Sequence, residues 1–127
     1  MPIVTIELMT DEGSPPGAAL PSAEKIREIA DALGDVFDSR PSGTWVKFRE
    51  QIREHYAENN MELAADARPV IVEILKAELP DPSVLASEAR AICLLIAKAL
   101  RRPAENVHVI YQPAARGRVA FGGELVR

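Results

Sequence analysis

Two short stretches of the chain are rich in β-branched residues and have the length of buried strands. Residues 2–8 read Pro-Ile-Val-Thr-Ile-Glu-Leu, and residues 69–75 read Pro-Val-Ile-Val-Glu-Ile-Leu. Branched side chains favour extended backbone because they pack well on a pleated surface. The two stretches match almost type for type, so the pattern predicts two equivalent strands, each beginning at a proline.

Each predicted strand is followed by a loop and then by apolar residues at helical spacing. Ser22 is a suitable N-cap for a first helix, whose apolar stripe is formed by Ile26, Ile29, Ala30, Leu33, Val36 and Phe37. Asp81-Pro82 opens a second helix, because proline is favoured at the first helical position. The stripe of this second helix is formed by Leu85, Ala89, Ile92, Ile96 and Ala99.

Both helices are predicted to end at an Arg-Pro pair and to lead into another strand. The two pairs lie at residues 40–41 and 102–103. Proline disfavours helical backbone in the residue before it, so neither helix can continue past its pair. Strands are then predicted over residues 44–49 and 107–112.

The repeated order predicts an α/β (α+β) fold made of two tandem βαβ units. Right-handed crossovers make each strand pair parallel, which gives a four-stranded mixed sheet with two helices on one face. We interpret residues 1–127 as a single domain with pseudo-repeats at about 1–51 and 69–127 and a polar connector at 52–68. One sheet face and two edges stay uncovered, which predicts oligomerisation.

The end of the chain departs from the repeat. Residues 117–126 read Gly-Arg-Val-Ala-Phe-Gly-Gly-Glu-Leu-Val, with glycines where a tight hairpin needs them. This segment is too short to form a core of its own. We expect it to pair with the edge of a neighbouring subunit.

Composition narrows the classes of function. The chain has 127 residues, a net charge of -4 and no basic run with interleaved aromatic residues, which argues against nucleic acid as a partner. No apolar run approaches the ~18 residues of a membrane span, and the start lacks the pattern of a secretion signal. We therefore predict a cytoplasmic protein without a membrane partner.

The sequence predicts neither a metal site nor a bound cofactor. No cluster of His, Cys and Asp residues has metal-ligand spacing, and no glycine-rich phosphate loop follows a strand. The single cysteine, Cys93, is expected to be a small buried thiol on a helix, since a catalytic thiol needs a nearby base.

The chain resembles the tautomerase superfamily, which includes 4-oxalocrotonate tautomerase, 5-carboxymethyl-2-hydroxymuconate isomerase, malonate semialdehyde decarboxylase and macrophage migration inhibitory factor. The matching features are the Met-Pro-Ile start, the doubled βαβ unit, the tail at 117–125 and the stretch Arg-Pro-Ser-Gly-Thr-Trp-Val at 40–46. Members with two fused units are trimers, so the resemblance implies a homotrimer.

The resemblance makes Pro2 the candidate catalytic residue. If Met1 is removed, Pro2 carries a secondary amine at the chain terminus. An α-amino group titrates near pH ~8, and burial disfavours its charged form. A neutral amine can then take a proton from carbon beside a carbonyl. If Met1 stays, the nitrogen is an amide without basicity, and Pro2 is an ordinary proline before an edge strand.

Four further residues are candidate substrate-binding residues by position in the family pattern. Arg40 replaces the family's carboxylate-binding lysine, or it is a cation at a helix end. His108, the counterpart of Trp45 in the second unit, reaches a neighbouring subunit's site or is simply a packed strand residue. Trp45 is a pocket wall or a subunit contact. Arg118 supplies positive charge near the pocket or caps the hairpin.

Departures from the family pattern affect the choice of substrate. The arginine soon after the first strand of 4-oxalocrotonate tautomerase is missing, as is the arginine pair of the decarboxylases after residue 75, where Lys76 is the only cation. We therefore expect a small carboxylic acid with one carboxylate, and a cofactor-free keto–enol tautomerase. The alternatives are a decarboxylase or hydratase that uses the same proline as an acid, and a non-catalytic trimeric binding or scaffold protein.

Overall fold

The computed structural model describes residues 2–127, in which four strands form one sheet. The main elements are β1 (Ile3–Met9), α1 (Ala23–Val36), β2 (Trp45–Gln51), β3 (Val70–Leu75), α2 (Pro82–Leu100) and β4 (Val107–Tyr111). The strand order is β2-β1-β3-β4, with the two outer pairs parallel and the central pair antiparallel. This mixed sheet with two helices confirms the predicted α+β architecture.

The core lies between one face of the sheet and the two helices. Side chains alternate along β1 and β3, so every second residue faces the helices. The buried cluster consists of Val4, Ile6, Leu8, Val70, Val72, Ile74 and Val107 from the sheet, with Ile29, Leu33, Ile92, Ile96 and Ala97 from the helices. On the opposite face, no element of residues 2–127 packs in the same way, and oligomerisation through that face stays a prediction.

Both helices begin where the sequence predicts, but they end a few residues before the predicted Arg-Pro pairs. The Ser22 hydroxyl accepts a hydrogen bond from the Lys25 backbone N–H at 3.1 Å, and Pro82 is the first residue of α2. Left-handed residues, Asp38 (φ 52°) and Arg101 (φ 55°), then follow the two helices. The next N–H bonds back to a carbonyl of the last turn in both cases, which ends each helix before its Arg-Pro pair.

The two prolines that open β1 and β3 lie on opposite sides of the sheet. Val4 and Val70 are both fully buried against the helices. Because side chains alternate, Pro2 lies on the same side as Val4, whereas Pro69 lies next to Val70 and therefore on the open side. The prediction of two equivalent strands is therefore wrong in one respect, because the two prolines lie on opposite sides of the sheet. When two similar strand sequences are offset by one residue, corresponding side chains point to opposite faces of the sheet.

The connector and the C-terminal segment are both ordered by local contacts. Arg53, in a short 3₁₀ turn, donates hydrogen bonds to the carbonyl oxygens of Ala67 at 2.8 Å and Ala64 at 2.6 Å. The predicted hairpin is present as β5 (Ala120–Phe121) and β6 (Glu124–Leu125). Its pairing with a neighbouring subunit stays a prediction. No helix among the described residues is both long and apolar enough to cross a membrane.

The loop between β1 and α1 is anchored by a carboxylate of β2. Glu50 accepts hydrogen bonds from the backbone N–H groups of Gly17 at 2.7 Å and Ala19 at 2.9 Å, one to each carboxylate oxygen. Charge-assisted bonds of this kind are stronger than neutral ones. Glu50 therefore fixes the glycine- and proline-rich loop to the end of the sheet.

We expect Glu50→Gln to lower the free energy of unfolding by about 1–2 kcal/mol, because the amide nitrogen would face a backbone N–H and one charge-assisted bond would be lost. Urea unfolding at a fixed protein concentration measures the effect. Glu62→Gln, at an exposed position of the connector, is the matched control and should change the free energy by less than about 0.5 kcal/mol. Equal stability of the two variants would contradict the anchoring role.

Candidate active site

Residues from four parts of the chain surround one open concavity of about 740 Å³. It lies beside the start of β1 and β2 and the end of β3, where the first loop after α1 and the C-terminal hairpin meet. Its lining residues are Pro2, Phe37, Asp38, Ser39, Arg40, Pro41, Ser42, Gly43, Trp45, Lys76, Ala77, Glu78 and Phe121. Three of the five sequence-predicted site residues, namely Pro2, Arg40 and Trp45, are thus brought together.

Pro2 is buried and is held at the first rung of the sheet. Its carbonyl oxygen accepts a hydrogen bond from the Trp45 backbone N–H at 2.9 Å. The ring restricts the backbone torsion, and β1 continues directly from it, so the nitrogen has a fixed direction. Met1 lies outside the described residues.

The turn that carries Arg40 is rigid. The Gly43 N–H bonds to the Arg40 carbonyl oxygen at 2.9 Å, and the Ser39 and Thr44 hydroxyl oxygens are 2.6 Å apart. A Cβ added at Gly43 would lie 2.9 Å from that same carbonyl oxygen, so the turn requires glycine. The Arg40 side chain is exposed and makes no ion pair with another described residue. Its guanidinium is therefore available to an acidic ligand.

An aromatic wall closes another side of the concavity. The Trp45 and Phe121 rings meet edge to face, with centroids 5.3 Å apart and an interplanar angle of 88°. The Trp45 indole N–H donates to the Ser42 carbonyl oxygen at 3.0 Å, which fixes the ring against the turn. The hairpin therefore contributes to the site through Phe121.

A partly buried polar network adjoins this concavity through Lys76, and sequence reasoning did not find it. The Lys76 ammonium is 2.9 and 3.2 Å from the two carboxylate oxygens of Glu88, and the Tyr111 hydroxyl donates to Glu88 at 3.0 Å. Burial, together with the bond to Glu88, raises the pKa of Tyr111 well above its usual value. Tyr111 is therefore a protonated donor at any ordinary pH.

Two acidic residues of the lining were also missed. Asp38 follows α1 and has a left-handed backbone conformation. Glu78 follows β3 and forms an ion pair with Arg116 at 2.6 Å. Asp38 could have been predicted from the sequence as a neighbour of the site, because it lies two residues before Arg40. Among the described residues, no group of three or more His, Cys, Asp and Glu side chains has an arrangement suited to a metal ion.

Two sequence-predicted site residues lie elsewhere in the chain. His108 is exposed on β4 and lines a separate concavity of about 580 Å³ next to α2. Arg118 donates to the carbonyl oxygens of Pro113 at 2.6 Å and Ala114 at 2.9 Å, which is a hairpin-capping arrangement, and it lines a concavity of the open sheet face. Within one chain, neither residue joins Pro2.

Comparison with known proteins shows the fold. No protein-family profile and no curated protein matches the sequence. Among solved structures, Pt0534 inactivated by 2-oxo-3-pentynoate superposes with a TM-score of 0.72 at 15% identity, covering 98% of this chain and 94% of that one. A macrophage migration inhibitory factor from Oncomelania hupensis gives a TM-score of 0.70 at 16% identity, covering 100% of this chain and 83% of that one.

A fused 4-OT, described as a wild-type symmetric trimer, is similar to the same degree. Its TM-score is 0.68 at 12% identity, and the match covers 98% of this chain and 94% of that one. Identities this low show the fold alone. The near-complete coverage of both chains shows that this chain has the fold of the tautomerase superfamily.

Proposed function

We propose that the protein is a cofactor-independent keto–enol tautomerase, an isomerase that acts on a small 2-keto acid or its enol. The observation that carries this proposal is the convergence of buried Pro2 and unpaired Arg40 on one concavity. The inactivation of Pt0534 by 2-oxo-3-pentynoate supports it, because that reagent is itself a small 2-keto carboxylate.

In the proposed mechanism, Pro2 moves the proton and Arg40 holds the substrate. With Met1 removed, the buried secondary amine is neutral and takes a proton from the carbon beside the carbonyl. The C–H electrons form the carbon–carbon double bond of the enolate, and the oxygen then receives a proton. The reverse sequence converts the enol into the ketone. Arg40 binds the carboxylate with two parallel hydrogen bonds, which fixes the reacting carbon near the nitrogen.

The enolate oxygen needs a hydrogen-bond donor, and we assign this role to His108 of an adjacent subunit in a homotrimer. His108 is exposed on an edge strand, where a neighbouring chain can reach it. The trimeric state described for fused 4-OT supports this assembly. Trp45 forms the aromatic wall. Arg118 does not line the concavity of its own chain, and we assign it, like His108, to the site of an adjacent subunit, where it adds positive charge. The protein is proposed to act in the cytoplasm, without nucleic acid or a membrane as partner.

Ketonisation of phenylenolpyruvate, followed by ultraviolet absorbance, tests the proposal. A base must be neutral to act, so activity should be lost as the pH falls through a midpoint below about 8, the ordinary value for an α-amino group. Activity lost instead on the alkaline side would assign Pro2 the role of an acid.

A second candidate reaction is decarboxylation or hydration of a small three-carbon acid, with protonated Pro2 as the acid. The Asp38 carboxylate favours this alternative, because it lines the same concavity as Pro2 and a carboxylate can accept a hydrogen bond from a water molecule. The third possibility, a non-catalytic trimeric binding protein, predicts that the natively produced chain keeps Met1. Its intact mass distinguishes this possibility directly.

A further inference from the structure

Pro2 and Lys76 lie opposite each other on the same side of the sheet. β1 and β3 are antiparallel, and the last paired residues are Ile3 with Leu75 and Val4 with Ile74. One position beyond the Ile3–Leu75 pair, Pro2 precedes β1 and Lys76 follows β3. Both fall on the side that faces the helices, where directly opposed residues have Cβ atoms roughly 5 Å apart. Both also line the concavity.

The Lys76 ammonium is held by two partners. It donates hydrogen bonds to both carboxylate oxygens of Glu88, and it lies over the ring of Phe37, whose centroid is 5.2 Å from the ammonium nitrogen. A lysine has three N–H donors, and the carboxylate takes two of them. Lys76 is therefore held in place by protein contacts, whereas Arg40 has no ion pair among the described residues.

The Lys76–Glu88 pair is much less exposed than the other charges around the concavity. The side chains are 17% and 12% exposed, so solvent screens them weakly. Asp38 and Arg40 are exposed residues of opposite sign on the turn after α1, and Glu78 is paired with Arg116 at the rim. Lys76 lines the concavity together with Pro2, and Glu88 is not among the lining residues, so the site is lined by the positive member of the pair.

We propose that Lys76 is a positioning residue whose fixed positive charge keeps the amine of Pro2 neutral at pH 7, and that Glu88 and Phe37 hold it for this purpose. A nearby like charge disfavours the charged form of an amine. Glu88 limits the effect because its negative charge acts in the opposite direction. The inference rests on the proposed role of Pro2 as a terminal amine.

Titration of Pro2 by NMR in protein labelled with ¹⁵N-proline, after intact mass has shown that Met1 is absent, tests this inference without any assay of activity. Lys76→Met should raise the pKa of Pro2 by about one unit, and Glu88→Gln should lower it by about half a unit or more. Lys76→Arg keeps the charge and should leave the value within about 0.3 units of wild type.

Lys25→Met is the matched control. It removes the same charge from an exposed ion pair with Glu28 at the far end of α1, and the pKa of Pro2 should not change. Opposite shifts in the Lys76 and Glu88 variants cannot come from a general loss of structure. A pKa of Pro2 that is the same in all variants, or that moves in one direction in both, overturns the role of Lys76. Opposite shifts in a chain without tautomerase activity would uphold this role and reject the proposed function.

Discussion

Pro2→Ala is expected to lower kcat/KM for ketonisation of phenylenolpyruvate by about 10²-fold or more, the range that a positioned general base contributes. Alanine at the terminus keeps an amine but loses the ring that directs the nitrogen. Pro2 is buried beside the start of β2, and its ring restricts the backbone torsion that alanine would leave free. Initial rates over a range of substrate concentrations separate kcat from KM.

Pro69→Ala is the matched control for this prediction. Pro69 precedes β3 as Pro2 precedes β1, yet it lies inside the chain and on the open side of the sheet. It can supply neither an amine nor a contact to the concavity. The rate of this variant should equal that of wild type. If Pro2→Ala were as active as Pro69→Ala, Pro2 would not be the base.

Arg40→Met is expected to raise KM about 10- to 100-fold, because a hydrogen bond to a charged group contributes roughly 1.5–3 kcal/mol. The Arg40 guanidinium has no competing ion pair among the described residues, so its loss removes substrate binding without freeing a buried charge. Arg40→Lys should recover only part of the affinity, since an ammonium cannot make two parallel bonds to one carboxylate.

Arg27→Met provides the comparison for Arg40. Arg27 is an exposed arginine of α1, and its loss changes the net charge of the protein by the same amount. Its KM should stay within about twofold of wild type, because a surface charge outside the site has little effect on binding. An unchanged KM in Arg40→Met would leave Arg40 as a simple surface cation.

The repeat and the helix starts could be predicted from sequence because their causes are local. Alternating branched residues define β1 and β3, and the Ser22 cap forms within four residues. Which residues of each strand face the helices depends on tertiary packing, which the repeat does not contain. Pro2 and Pro69 occupy the same position in the sequence pattern, but the buried residues Val4 and Val70 place them on opposite sides of the sheet.

The polar part of the site depends on contacts that a linear pattern does not contain. Lys76, Glu88 and Tyr111 belong to a strand end, a helix and another strand, and only the packing of α2 on the sheet brings them together. Separated along the sequence, each reads as an ordinary surface residue. His108 lies on the edge strand β4, away from Pro2 of its own chain, and its predicted contribution to a neighbouring subunit's site stays a prediction.

The most direct test of the account is to block the Pro2 nitrogen without changing any side chain of the site. Insertion of a lysine between Met1 and Pro2 converts that nitrogen into an amide, and intact mass verifies the start of each chain. The wild-type protein is expected to lack Met1 and to ketonise phenylenolpyruvate, whereas the extended chain should have only background activity. Equal rates for the two chains would contradict the catalytic role of Pro2.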